Sequence, residues 1–197
     1  MSERKIKKRK ILLEAASEVF RELGPNKTTL DDIAQKAGMA KTSLYYYFRD
    51  KKDIFHSVIM NEQERLFEML LSAVEGPVST EAKISSLLEV YYHFMSQKVQ
   101  RVSWDIILEY LSCDVVFEPA CSYYHQPLKD IIEHILRAGI KNGEFKPIDD
   151  IDLASQVITI SMMSCNYLFI FHYRHERIRK VMRQMMGYLL SGLKMNL

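Results

Sequence analysis

The chain has 197 residues, 48% of them hydrophobic and 26% charged, and 27 Lys+Arg against 25 Asp+Glu leave a net charge of +2. That is enough for one domain or two small ones with a substantial core, at a composition ordinary for a soluble globular protein. Three cysteines, Cys113, Cys121 and Cys165, lack a close paired spacing, which argues against a disulfide framework and for reduced thiols in a cytoplasm.

Helix 1 is predicted from about residue 5 to Leu23, with Leu12, Ala16, Val19, Phe20 and Leu23 as its apolar stripe and Gly24-Pro25-Asn26 as its stop. The charged N-terminus runs into this amphipathic helix and not into an apolar core, so no signal peptide is expected. Thr29 is placed to cap helix 2, and Asp32 three residues on makes a near match to a capping box. Leu30, Ile33, Ala34 and Ala37 share one helical face, and Gly38 supplies the left-handed backbone of a sharp turn. Helix 3 buries Leu44 and Phe48 and leaves Lys41, Thr42, Ser43, Tyr45, Tyr46 and Tyr47 largely free. Two short helices joined by a tight turn, the second rich in groups that bond phosphates and base edges, describe a helix-turn-helix.

A long fourth helix is expected from near Lys51 to Gly76-Pro77, carrying Ile54, Phe55, Val58, Ile59, Leu66, Phe67, Leu70, Leu71 and Val74. No Pro/Gly/Ser-rich linker follows the helix-turn-helix, so its module should move with the rest of the chain. Further helices are expected after Ser79-Thr80, over about 103–112, and from an opening bracketed by Pro119 and Pro127 to a stop at Lys141-Asn142-Gly143. The last two are expected over about 149–173 and 176–193. The most apolar stretch, Val157 to Phe171, includes Ser161, Ser164 and Asn166 and is shorter than the ~20 residues that span a bilayer. The expected fold is all-α, with residues 1–52 as a DNA-binding domain and 53–197 as a helical ligand-binding and dimerisation domain.

Charge follows the same division. Residues 1–52 hold 13 Lys/Arg and 7 Asp/Glu, while the remainder holds 14 and 18. A basic module on an acidic body is the electrostatic footprint of a nucleic-acid binder. Arg4-Lys-Ile-Lys-Lys-Arg-Lys10 alone could be a solvated helix start, but directly before a helix-turn-helix it reads as phosphate attraction.

The ordered string Thr28-Thr-Leu-Asp-Asp-Ile-Ala34, Ala37-Gly38, Lys41, Leu44-Tyr-Tyr-Tyr-Phe48 and Lys51-Lys-Asp-Ile-Phe55 closely resembles the DNA-binding motif of the tetracycline-repressor (TetR) family of bacterial transcriptional regulators. The match covers roughly residues 8–56; beyond it only helix number and spacing are similar. The resemblance implies phosphate contacts from Thr29, Tyr46 and Lys51. Many members have Gly where this chain has Thr42, which implies a different base read at that position. Lys41, Thr42 and Ser43 occupy the end of the recognition helix that enters the major groove, where lysine donates to guanine and short hydroxyls reach bases or phosphates. Tyr45, Tyr46 and Lys51 suit phosphates, although the tyrosines could also simply pack the domain.

The resemblance further implies that the last two helices pair with their copies in a four-helix bundle, which puts Ile158, Met162, Cys165, Phe169, Met182, Met185 and Leu189 at a homodimer interface. An ordinary intramolecular core is the alternative for these faces. The middle helices, rich in Met and aromatics, read either as a filled core or as a mostly apolar pocket around Tyr91, Met95, Trp104, Leu108 and Tyr124. No metal site is expected, because neither His172/His175 nor Cys121/His125 has the partners of a zinc pattern. No cofactor is expected, and no catalytic set is visible.

The sequence thus reads as a cytoplasmic, ligand-responsive repressor that binds double-stranded operator DNA as a homodimer and responds to a hydrophobic or amphipathic small molecule. A DNA recombinase or modifying enzyme that borrows a helix-turn-helix, and a sequence-independent architectural protein, are the alternatives.

Overall fold

The computed structural model describes residues 3–76, 79–99, 114–165 and 175–194, with side chains at all of these but 98, 99, 114–124 and 175. Eight helices lie among them: α1 (Glu3–Leu23), α2 (Leu30–Lys36), α3 (Lys41–Tyr45), α4 (Lys51–Glu75), α5 (Thr80–Val99), α6 (Asp114–Lys141), α7 (Ile151–Ser164) and α8 (His175–Ser191). None of the described helices is long and apolar enough to cross a membrane. The described residues divide into two compact units, 3–64 with 114–121, and 65–76, 79–99, 122–165 and 175–194.

In the first unit α1 buries Leu12, Leu13, Ala16, Val19 and Phe20 against Ile33 and Ala34 of α2, Leu44 of α3, Phe48, and Ile54, Phe55, Val58 and Ile59 of α4. Each fully buried aliphatic or aromatic side chain contributes about 1.5–3 kcal/mol, and this cluster is what holds α1, α2, α3 and the first half of α4 in one arrangement. Phe20 and Phe55 meet edge-on at 4.9 Å between centroids, a favoured aromatic geometry. Leu23, expected in the stripe, is exposed. It sits in the last turn, where α1 breaks at Gly24, whose φ of 82° is open to glycine at little cost.

In the second unit Leu66 and Leu70 of α4, Ile84, Leu87, Leu88 and Tyr91 of α5, and Leu128, Ile132, Ile135 and Leu136 of α6 share a core with residues of α7 and α8. Helix α6 begins at Asp114, so Pro119 and Pro127 lie within it instead of bracketing its opening. A proline inside a helix costs about 3 kcal/mol. Burial of Leu128, Ile131, Ile132, Ile135 and Leu136, at about 1.5–3 kcal/mol each, outweighs that. The stop at Lys141-Asn142-Gly143 is as expected: Gly143 has φ 75° and the Asn142 N–H donates to the Ala138 carbonyl at 2.9 Å. Gly139 is required for a different reason. A Cβ there would lie 2.7 Å from the Phe145 ring and 3.0 Å from Thr80.

Polar clasps complete the unit. Glu144 accepts from the Thr80 N–H at 2.7 Å and from its hydroxyl at 2.9 Å, closing the start of α5. Buried Lys129 reaches Asp152 at 2.6 Å and Glu133 at 3.3 Å. Glu89 of α5 receives Arg179 Nε at 2.9 Å and Arg183 Nε at 2.7 Å from α8. Burial acts to raise the Glu89 pKa, but the hydrogen bonds from Arg179 and Arg183 outweigh it and hold the carboxyl below its ordinary 4.5. A depressed carboxylate stabilises the fold above its unfolded pKa, and that contribution disappears as pH falls through the folded value. Glu89→Gln is therefore expected to lower stability at neutral pH, with the gap to the parent protein closing below about pH 4.5. Urea unfolding across pH checks this, and a gap of constant size would contradict it.

Candidate nucleic-acid interface

The first unit frames an exposed polar face around α3. Its base is the Thr29 capping box. Thr29 Oγ1 accepts from the Asp32 N–H at 3.2 Å and the Thr29 N–H donates to Asp32 Oδ2 at 2.8 Å. Hydrogen bonds from the Thr29 side chain and backbone hold the Asp32 carboxyl below its usual range. Thr29→Ala is expected to cost about 1 kcal/mol in urea unfolding, the usual loss of an N-cap; an unchanged midpoint would show that α2 does not depend on the cap. At the other end of α2, Gly38 adopts φ 62°, and the Met39 N–H donates to the Ala34 carbonyl at 2.9 Å. Lys36 bridges back to Glu18 of α1 at 2.8 Å, and hydrogen bonding to Glu18 raises its pKa.

Helix α3 is only five residues long, and Leu44 and Phe48 anchor it to the core. Lys41, Thr42, Tyr45 and Tyr46 are left exposed and Ser43 half-buried. Tyr45 and Tyr46 remain 56% and 61% exposed, too much for residues whose task is to pack the domain. Tyr47 differs, being partly buried against the core and edge-on to Tyr46 at 5.0 Å.

Both lysines of the expected DNA set have partners within the chain. Lys41 Nζ meets Asp31 Oδ2 at 2.7 Å, and that hydrogen bond raises its pKa. Lys51 Nζ donates to the carbonyls of Asn26 at 2.9 Å and Thr28 at 2.8 Å. It ties the α1–α2 loop to the start of α4, a role its sequence position did not reveal.

Two members of the basic run of α1, expected near DNA as a group, sit beside this face. Lys5 Nζ lies 4.6 Å above the Tyr46 ring, and its pKa is raised by the Tyr46 hydroxyl. Arg9 stacks 5.2 Å from Phe48 and donates to Ser57 at 3.2 Å. Their i,i+4 spacing was the available signal, since it puts both on one side of α1. The face therefore offers hydroxyls, phenols and ammonium groups together, a set suited to phosphates and base edges.

The other expected sites lie in the second unit. Ile158, Met162, Cys165 and Met182 are buried within that unit's own core. Both α7 and α8 carry apolar residues on more than one side, and these four face inward. Burial pushes the Cys165 thiol up to about 11. Met185 and Leu189 are only partly buried and line a groove of about 620 Å³ with Ser161, Val181, Gln184 and Tyr188. Leu153, Val157, Ile160, Val181 and Tyr188 are the exposed large hydrophobics of α7 and α8. Of the expected pocket, Tyr91 is buried in the core and Met95 partly buried against it. Trp104, Leu108 and Phe169 lie outside the described residues, as does the side chain of Tyr124.

Residues 12–58 match the family model for bacterial regulatory proteins of the tetR family. That segment is a TetR-type DNA-binding domain. This regulator is 28% identical over 157 residues to the transcriptional repressor BepR of Brucella suis, covering 76% of this chain and 74% of that one. It is 24% identical over 147 residues to the fatty acid metabolism regulator protein of Bacillus subtilis, covering 75% of each. A solved transcriptional regulator from Cytophaga hutchinsonii superposes with a TM-score of 0.79 at 24% identity, over 94% of this chain and 98% of that one. The Bacillus subtilis regulator FadR, crystallised with stearoyl-CoA, gives a TM-score of 0.72 at 21% identity, over 93% and 98%. The TetR-type domain and these relatives make the chain a DNA-binding transcriptional regulator, and neither the recombinase nor the architectural alternative gains anything from them.

Proposed function

We propose that this regulator is a cytoplasmic repressor that holds operator DNA as a homodimer and lets go when a hydrophobic or amphipathic molecule binds. The exposed face of Lys41, Thr42, Tyr45 and Tyr46 above a capped, fully packed frame is the observation that carries the DNA half. Thr29, Lys41, Thr42, Ser43, Tyr45 and Tyr46 make the contacts, and Lys51 holds the loop that presents Thr29. One such module reads few bases, so two half-sites are needed. The exposed apolar side chains of Val157, Ile160, Val181 and Tyr188 supply the surface for a second copy, with Met185 and Leu189 at its edge.

The ligand half rests on the relatives, among them a regulator crystallised with stearoyl-CoA. Release requires only that the ligand bind the DNA-free conformation better than the DNA-bound one. Helix α4 contributes residues to both units, and ligand occupancy would reach the DNA face through it. Division at about residue 52 into DNA-binding and ligand-binding domains follows this reading. The test is selection of a preferred duplex from random DNA, then anisotropy titration of that complex with stearoyl-CoA and a lipophilic panel. Preference below tenfold over random DNA would defeat the operator reading. A complex that survives every compound would defeat release.

A further inference from the structure

The buried positions of α4 in sequence are Ile54, Phe55, Val58, Ile59, Gln63, Leu66 and Leu70. Gln63 is the one polar residue among them. It falls on the same helical stripe as Ile59, Leu66 and Leu70, at spacings of four, three and seven residues. It is 1% exposed, and its Oε1 is the only buried side-chain N or O atom among the described residues with no hydrogen-bond partner. A buried acceptor left unpaired forfeits its hydration with nothing in return. Helix formation does not explain the choice, since Leu and Met favour a helix as well as Gln does. A carboxamide that is costly to the empty protein fits a partner that comes and goes.

We infer that Gln63 is a specificity-determining residue for the effector, its carbonyl accepting a hydrogen bond from a neutral hydroxyl or amide N–H on an otherwise apolar molecule. This rests on the reading of the chain as ligand-released. The chemistry of the ligand follows from the neighbours. Positions 59, 60, 66 and 67, which flank 63 on the helix surface, are Ile, Met, Leu and Phe, so apolar substance surrounds the one acceptor. Glu62 takes a hydrogen bond from Ser17 at 3.2 Å, and Glu64 is exposed. The unpaired atom is an acceptor and none of its helix-surface neighbours is a cation, so the complementary group is a neutral donor and not an anion. Sites that hydrogen-bond a ligand's donor reject the analogue without it far more strongly than apolar sites reject an extra methyl.

The experiment pairs probes that differ only at the donor: 4-octylphenol with 4-octylanisole, and dodecanamide with N,N-dimethyldodecanamide. Thermal midpoints and operator release are measured for the parent protein, Gln63→Leu and Gln63→Met. At least one donor probe is expected to stabilise the parent and release operator at a concentration at least tenfold below its methylated partner. Both variants should have a higher midpoint than the parent without probe, keep operator affinity, and lose the preference for the donor. A lower midpoint in both variants would mean that Gln63 has a permanent structural partner, such as a bound water, and would overturn the inference. Equal response to donor and methylated probes, or response to neither, would overturn it too. Operator preference over random DNA in the parent is scored separately, so failure of the regulator reading is told apart from failure of Gln63.

Discussion

Val181→Glu is expected to give a folded monomer that loses about 10²–10⁴-fold of its affinity for a two-half-site operator, the gain that joining two binding modules normally provides. Val181 is 40% exposed on α8, so the isolated chain can solvate the new carboxylate, whereas a dimer would have to bury it unpaired. Its neighbour behaves differently. Met182 is 1% exposed, inside the second unit's core, and Met182→Glu is expected to unfold the chain instead of dividing a dimer. Total stabilities of about 5–15 kcal/mol leave little room for a buried, unpaired charge. Analytical ultracentrifugation with circular dichroism separates the two outcomes. A Val181→Glu variant that stays fully dimeric would place the interface on another surface.

The second large effect is at the recognition helix. Lys41→Ala and Tyr46→Ala are each expected to weaken operator binding about 5–150-fold, corresponding to about 1–3 kcal/mol. Neither should move the thermal midpoint much, because both side chains are exposed and the Lys41–Asp31 pair is a surface ion pair of small worth. Asp31→Ala is the informative companion. If Asp31 competes with DNA for Lys41, its removal should tighten binding. Gel shifts on the selected duplex check all three, and unchanged affinity for both Lys41→Ala and Tyr46→Ala would displace the recognition face from α3.

The helix-turn-helix was legible in the sequence because its determinants are local. Thr29 and Asp32 cap within three residues, Gly38 has to take a positive φ, and Leu44 and Phe48 are the only apolar pair that a helix of five residues and its following turn could bury. The inward side of α8 was not legible. Ile178, Val181, Met182, Met185, Met186, Leu189 and Leu190 cover more of the helix circumference than a single core requires, and apolarity alone does not say which residues meet their own chain. Met182 and Val181 differ in role by one position for this reason. The role of Lys51 escaped because its acceptors, the carbonyls of Asn26 and Thr28, are backbone groups brought near only by the fold. Pro119 and Pro127 misled because local propensity marks a helix start, while burial of the residues that follow Pro127 decides the matter.

The internal pairing of the basic residues bears on how the regulator will respond to ionic strength. A cation that neutralises a phosphate displaces condensed counterions from DNA, and each such event steepens the salt dependence by about 0.9 in the logarithmic slope. Lys41 would reach a phosphate or a base only by leaving Asp31, and Lys36 only by leaving Glu18. Each deserted carboxylate then gathers a cation from solution, which cancels part of that release. Lys51 would have to surrender two carbonyls. The 13 basic residues of the first 52 therefore overstate the number of ions set free on binding. A repressor built this way keeps its grip over a wider range of salt than its charge implies, and draws more of its selectivity from hydroxyls and phenols whose bonds are indifferent to ionic strength.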